Sequence, residues 1–256
     1  MNSEKLLNEV KKILEKEPRL IQLPPEGKVI FVGDTHGDLD ATRKLVERYL
    51  KKPYRIVFLG DYVDRGTQSE ENIRYLIELK YRHPGEIFLL MGNHEGYMIK
   101  EFYPANFWES LLREEKETYG QLFSNLPLCA TSKNGILALH GALPDLESIE
   151  EINRIKLGDL NWDRIVWGDF VEEKADIIGD FYGRPQFGQI YFERIMDKFQ
   201  KNILIRSHQP NAPVMMFNKR CITIFTSHAY IPIRTIVVVD MEKEVKSGED
   251  IIIERI

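Results

Sequence analysis

Three apolar runs in the first hundred residues share one design. Residues 29–32, 56–59 and 88–91 are rich in β-branched, leucine and aromatic side chains, and they end in Gly33-Asp34, Gly60-Asp61 and Gly92-Asn93. Unbroken apolar runs this short, bounded by turn residues, predict strands buried on both faces. Between them, residues 38–50 carry Leu39, Leu45, Val46 and Leu50 at helical spacing, with Asp38 as a cap. Residues 69–81 carry Ile73, Leu76, Ile77 and Leu79 in the same way, with His83 at the helix end, where a partial negative charge suits an imidazole. Asp34, Asp61 and Asn93 stand 27 and 32 residues apart, room for a strand, a crossover helix and the next strand. Right-handed crossovers make such strands parallel, so their carboxyl ends meet at one edge of a sheet.

The remaining pattern is less regular. Residues 3–17 predict a helix capped by Ser3 and stopped by Pro18, and residues 23–27 a linker. The aromatic-rich stretch 97–128 predicts helices packed by their own rings rather than an aromatic binding box. Residues 135–140 predict a fourth strand, ending in His140 and placed like the first three. A helix over 146–157, a glycine- and aspartate-rich loop over 159–187 and a helix over 189–201 follow. Strands at 203–206, 221–226, 233–240 and 251–255, joined by short connections, predict an antiparallel second sheet. The expectation is an α/β (α+β) chain in one domain over 1–256. Its helix and linker fill 1–27, and its core fills 28–256.

Composition narrows the function. A net charge of −5 weighs against broad binding to nucleic acid or anionic membranes. No apolar stretch approaches a membrane span, and residues 1–20 lack the apolar core of a secretory signal. Two cysteines, Cys129 and Cys221, form no spaced cluster, which suits a reducing, cytoplasmic setting.

The chemistry gathers at the strand ends. Asp34-Thr35-His36 offers two ligands one residue apart on a strand-to-loop turn. Asp61 is placed to bridge two ions, one carboxylate oxygen to each. In the same loop, Arg65 offers a planar fork for phosphate oxygens. Asp64 serves either that site or a salt bridge to Arg65 that closes the loop. Asn93 offers an amide oxygen, and His94 points from the same turn. His140 and His208 each end an apolar run. Four of the six histidines thus fall at strand ends, a mixture of oxygen and imidazole donors that suits manganese, iron or zinc.

These segments resemble a known family. Gly-Asp-Thr-His-Gly-Asp, Gly-Asp-Tyr-Val-Asp-Arg-Gly, Gly-Asn-His-Glu and Leu-His-Gly are similar to the signatures of the PPP serine/threonine phosphoprotein phosphatases, in that family's order. Trp167-Gly-Asp169, Gly183-Arg184, Arg206-Ser-His-Gln209 and the stretch ending in Tyr230 resemble its later landmarks. The resemblance implies a calcineurin-like metallophosphoesterase fold, two packed mixed β-sheets flanked by helices. It implies two divalent ions, manganese first, with iron, zinc, cobalt or nickel as alternatives. One ion would be held by Asp34, His36 and Asp61, the other by Asp61, Asn93, His140 and His208.

Arg65 and Arg184, with Asn93 and Tyr230, would bind the phosphate. His94, oriented by Asp64, would protonate the leaving alkoxide after in-line attack of a water or hydroxide held by both metals. The implied substrates are phosphorylated proteins. The alternatives are a symmetrical dinucleoside tetraphosphate hydrolase or another small-molecule phosphoesterase of the same fold, and a phosphate-sensing module without activity. Two departures stand out: Ala142 replaces a second glycine, and residues 226–231 keep the tyrosine but lose the Ala-Pro-Asn before it and the cysteine after it.

Overall fold

The computed structural model describes residues 3–256. The chain runs α1 (Ser3–Leu14), β1 (Leu20–Gln22), β2 (Lys28–Val32), α2 (Leu39–Tyr49), β3 (Tyr54–Phe58), α3 (Ser69–Arg82) and β4 (Ile87–Leu89). It continues through α4 (Asn106–Ser110), α5 (Arg113–Phe123), β5 (Cys129–Thr131), β6 (Ile136–Leu139), α6 (Leu160–Trp167), β7 (Asp169–Phe170), β8 (Ile177–Phe181) and β9 (Arg184–Phe187). It ends with α7 (Gln189–Lys198), β10 (Ile203–Arg206), β11 (Met215–Met216), β12 (Cys221–Thr223), β13 (Thr235–Asp240) and β14 (Ile252–Arg255).

Two mixed sheets carry the fold. One has five strands in the order β14-β13-β2-β3-β4, the other six in the order β1-β5-β6-β10-β12-β11. As the spacing predicts, β2, β3 and β4 are parallel neighbours linked by α2 and α3. Side-chain alternation explains their unbroken apolar character. Val29, Phe31, Val57 and Leu59 join Ala138, Ile205, Ile222 and Val237 in a core shared by both sheets. Ile30, Val32, Ile56 and Phe58 belong instead to the core that holds the buried faces of the helices, such as Leu45, Ile73 and Leu76. Both faces are therefore covered. Asp38 caps α2 by accepting from the Ala41 amide, and His83 follows the last residue of α3. Helix α1 starts at Ser3 itself; the capping expected of its side chain lies outside the described residues.

Four expectations need correction. The tail does not form one antiparallel sheet: β10 runs parallel to β6 and β12, while β13 joins the five-stranded sheet antiparallel to β2, Val237 opposite Phe31. The strand ending at His140 is β6 of the six-stranded sheet, not a fourth member of the β2–β4 series. An apolar strand buried on both faces does not encode which partner it takes. Residues 159–187 are not a loop. Asp159 caps α6 through the Asn161 and Trp162 amides, and a third sheet, β7-β9-β8, follows. Over 146–157 the helix shrinks to a 3₁₀ turn, Ile149–Arg154. The aromatic stretch does hold helices packed by rings, with Tyr97 stacked on Trp108 at 5.1 Å.

Close approach explains two of the motif glycines. A Cβ on Gly60 would stand 2.4 Å from the Gly92 nitrogen, and one on Gly92 would stand 2.2 Å from Asp61 Oδ1. The ends of β3 and β4 touch there, and only glycine leaves room.

Candidate metal centre and phosphate site

The loops after β2, β3 and β4 meet those after β6 and β10. The Asp34 amide donates to Ser207 Oγ at 2.8 Å, and the Gly33 amide to Thr226 Oγ1 at 2.9 Å. The Thr35 and His36 amides both donate to the Asp61 carbonyl. His36, Asp61, Asp64, Arg65 and His208 all have positive φ, between 41° and 72°. Non-glycine residues rarely hold this conformation, and where they do, the surrounding packing enforces it. Half of the ten such residues among those described lie in this one crevice.

Two donor groups share Asp61. Around His140 Nε2 stand Asn93 Oδ1 at 3.1 Å, His208 Nδ1 at 3.1 Å and Asp61 Oδ2 at 3.3 Å. Around His36 Nε2 stand Asp34 Oδ2 and Asp61 Oδ2, each at 3.7 Å. All these side chains are buried. The other nitrogen of each imidazole faces a backbone carbonyl: His140 Nδ1 the Leu59 oxygen at 3.0 Å, His36 Nδ1 that of Val63 at 2.9 Å, His208 Nε2 that of Trp167 at 3.2 Å. A carbonyl only accepts, so it fixes the proton on that nitrogen and turns the lone pair of the other inward. Lone pairs of His140, His208 and Asn93 then converge at about hydrogen-bond distance with no proton between them. That arrangement repels unless a cation sits within it, so the donor set fits divalent ions.

The protonation tendencies agree. Burial pushes Asp34 up to about 7, with help from the Asp61 charge, and burial first of all pushes Asp61 up to about 8. Burial pulls His36, His140 and His208 below their usual value. Buried carboxylates short of positive charge and buried neutral imidazoles both suit a metal.

His94 lies beside the first group, its Nε2 3.9 Å from Asp61 Oδ2. Its Nδ1 is 2.6 Å from Asp64 Oδ2, while Asp64 Oδ1 accepts from the Phe107 amide at 2.7 Å. Asp64 therefore turns to His94 and not into a salt bridge with Arg65. Arg65 is held by its own amide on Asn106 Oδ1 and by Nη1 on the Pro104 carbonyl, which leaves its buried Nε without a partner. Arg184, at the start of β9, gives Nε and Nη2 to Asp169 at 2.8 and 2.7 Å. Asp169 thus aims the guanidinium and leaves Nη1 over. Tyr230 is half exposed, its ring edge-on to His36 at 5.6 Å between centroids.

One buried acid escaped the sequence reading. Glu95 accepts from the amides of Asp61 and Tyr62 at 2.8 Å and of Gly92 at 3.0 Å, and so ties the β3 loop to the β4 loop. Burial and the Asp61 charge push it up to about 8 against the pull of those amides. Its only signal was its place in Gly-Asn-His-Glu, because bonds to backbone amides leave no residue pattern. Trp108, whose indole donates to the His94 carbonyl at 2.9 Å, was likewise hidden among the aromatics.

The sequence profile of the calcineurin-like phosphoesterases matches residues 27–212, and the chain belongs to that family. Among its curated relatives is a serine/threonine-protein phosphatase of Candida albicans described as PP2A-like. It is 31% identical over 244 residues, which span 89% of this chain and 58% of that one. A probable serine/threonine-protein phosphatase of Encephalitozoon cuniculi is 26% identical over 89% of this chain and 52% of its own length. The chain thus spans about half the length of the curated relatives it matches.

Among solved structures, a Saccharomyces cerevisiae protein serine/threonine phosphatase with similarity to human PP5 superposes with a TM-score of 0.84. It is 22% identical and covers 98% of this chain and 88% of its own. A putative diadenosine tetraphosphatase superposes at 0.57, 16% identical, over 93% of this chain and 98% of its own. At these identities the superpositions speak for the fold.

Proposed function

We propose that this chain is a metal-dependent protein serine/threonine phosphatase. The observation that carries the reading is the His94–Asp64 pair, 2.6 Å apart, with the other face of His94 3.9 Å from the carboxylate shared by both donor groups. Asp34, His36 and Asp61 would hold one divalent ion; Asp61, Asn93, His140 and His208 the other, with manganese the expected metal. Such a pair lowers the pKa of water and neutralises phosphoryl oxygens during in-line displacement.

The chain's own groups supply the rest. The guanidinium of Arg65 and the spare Nη1 of Arg184 offer donors to equatorial phosphoryl oxygens. Tyr230 and the Asn93 amide wall the same space. His94 gives its proton from Nε2 to the leaving serine or threonine oxygen, while Asp64 holds Nδ1 and steadies the imidazolium. Burial, with Arg65 nearby, keeps His94 well below its usual pKa. A doubly negative ester entering beside it would raise that value and load the acid only when substrate is present. A nucleophilic cysteine fits poorly: Cys129 and Cys221 are buried, and burial pushes both thiols up.

The phosphoprotein substrate is supported by the relatives named above, and a cytoplasmic setting by two unpaired buried thiols. No helix among the described residues is long and apolar enough to cross a membrane. The test is turnover on phosphoserine, phosphothreonine and phosphotyrosine peptides and on diadenosine tetraphosphate, with manganese and with chelator. Metal-dependent hydrolysis of the serine and threonine peptides is expected. Faster cleavage of the dinucleotide would transfer the site to anhydride chemistry.

A further inference from the structure

The segment that carries Tyr230 is tied at both ends to one carboxylate. Asp38 Oδ2 accepts from the His228 amide at 3.0 Å, before Tyr230. Beyond Tyr230, Arg234 grips the same carboxylate with both prongs of its fork, Nε to Oδ2 at 2.9 Å and Nη2 to Oδ1 at 2.7 Å. Its remaining prong, Nη1, reaches Asp40 Oδ2 at 2.9 Å. Arg234 is only 8% exposed, so this is a desolvated, bidentate pair rather than a loose surface one.

Asp38 itself is held from two sides. Its amide donates to the Thr35 carbonyl, inside the turn that carries His36, and its Oδ1 accepts from Ala41 at the start of α2. Between the two ties, residues 229–233 are mostly exposed, and Tyr230 touches the rest of the protein through His36 and Phe225, at 5.6 and 5.8 Å between centroids. A half-exposed ring on a short segment is placed by whatever holds the segment's ends. Here both ends converge on a residue two positions from His36.

We infer that Arg234 and Asp38 are positioning residues that hold Tyr230 against the mouth of the phosphate site and thereby set substrate affinity. This rests on the reading of Tyr230 as a wall of that site. The pair acts on binding and leaves the imidazoles in place, because His36, His140 and His208 are held by backbone carbonyls and His94 by Asp64. Arg234→Met removes the side-chain tie at the far end of the segment, while the backbone there stays paired, the Ile256 amide donating to the Arg234 carbonyl and the Thr235 amide to that of Phe225. Arg234→Lys keeps the charge but reaches one oxygen in place of the fork.

The test is a double-mutant cycle on a phosphothreonine peptide, using Arg234→Met, Tyr230→Ala and the double variant. Arg234→Met is expected to raise KM about 10-fold, the usual weight of one charge-assisted hydrogen bond, with kcat and metal content unchanged. Tyr230→Ala is expected to raise KM as well, and the double variant to match Tyr230→Ala alone. Arg234→Lys is expected to fall between wild type and Arg234→Met, and it carries the test if the methionine variant does not fold.

A normal KM in both Arg234 variants, or Arg234 and Tyr230 effects that multiply in full, would overturn the positioning role and leave the reading of Tyr230 intact. A normal KM in Tyr230→Ala would overturn both.

Discussion

The two large sheets bring different chemistry to the crevice. Loops after β2, β3 and β4 of the five-stranded sheet supply every oxygen donor, Asp34, Asp61 and Asn93, together with His36 and the His94–Asp64 pair. The six-stranded sheet adds two imidazoles, His140 after β6 and His208 after β10. Backbone strain divides the same way: His36, Asp61, Asp64 and Arg65 hold positive φ on the first side, His208 on the second. On the proposed reading, the first sheet would carry the bridging carboxylate and the proton donor, while the second would complete one metal position. A dinuclear centre would then be a property of the packing of two sheets and not of either one.

The sharpest way to break this comparison is Asp61→Asn, since Asp61 is the carboxylate proposed to serve both ions. Activity should fall to background and bound metal should drop on elemental analysis; two metals per chain in that variant would remove the shared carboxylate. His94→Asn comes next, with kcat down about 10²–10⁴-fold and metal content retained. Loss of metal along with rate would make His94 a ligand instead of an acid. Arg184→Ala should raise KM for phosphate esters about 10-fold, the weight of one charged hydrogen bond, while an unchanged KM would leave phosphate binding to Arg65.

The smallest effect is thermal. In chelator, Asp34, Asp61 and Glu95 take up protons in the folded state at higher pH than when unfolded, up to about 7, 8 and 8. The stability they contribute is full below the unfolded carboxylate range near 4 and is lost as pH rises through the folded values. The imidazoles weigh the opposite way, their contribution lost only as pH falls below about 6.5 towards their depressed folded values, and they change little above it. Between pH 6.5 and 8.5 the stripped protein should therefore lose on the order of 5–10 °C in Tm, and manganese should restore it. A Tm that rises across that window in chelator would contradict the buried acidic cluster.

The legibility of the chain follows the same line between the sheets. The β2–β4 unit was readable because its order is local. Each strand is apolar on both faces, each crossover helix shows its period, and glycine precedes Asp61 and Asn93 where the two strand ends touch. His140 and His208 stood out as strand-end residues, yet nothing local said that 68 positions apart they would bring their ring nitrogens within 3.1 Å. Asp64 shows the same gap, since its choice of His94 over Arg65 depends on the Phe107 amide arriving from α4.

By itself, then, the sequence determined the parallel βαβ series, the polar side chains at its strand ends and the kind of chemistry they suit, because periodicity and strand ends are set by neighbours along the chain. Only the tertiary structure decided which sheet each tail strand joins, that residues 159–187 form a helix and a small sheet, and that one carboxylate faces two donor groups. Those outcomes depend on distant backbone amides and carbonyls, whose pairing is the same for every side chain and leaves no trace in residue order.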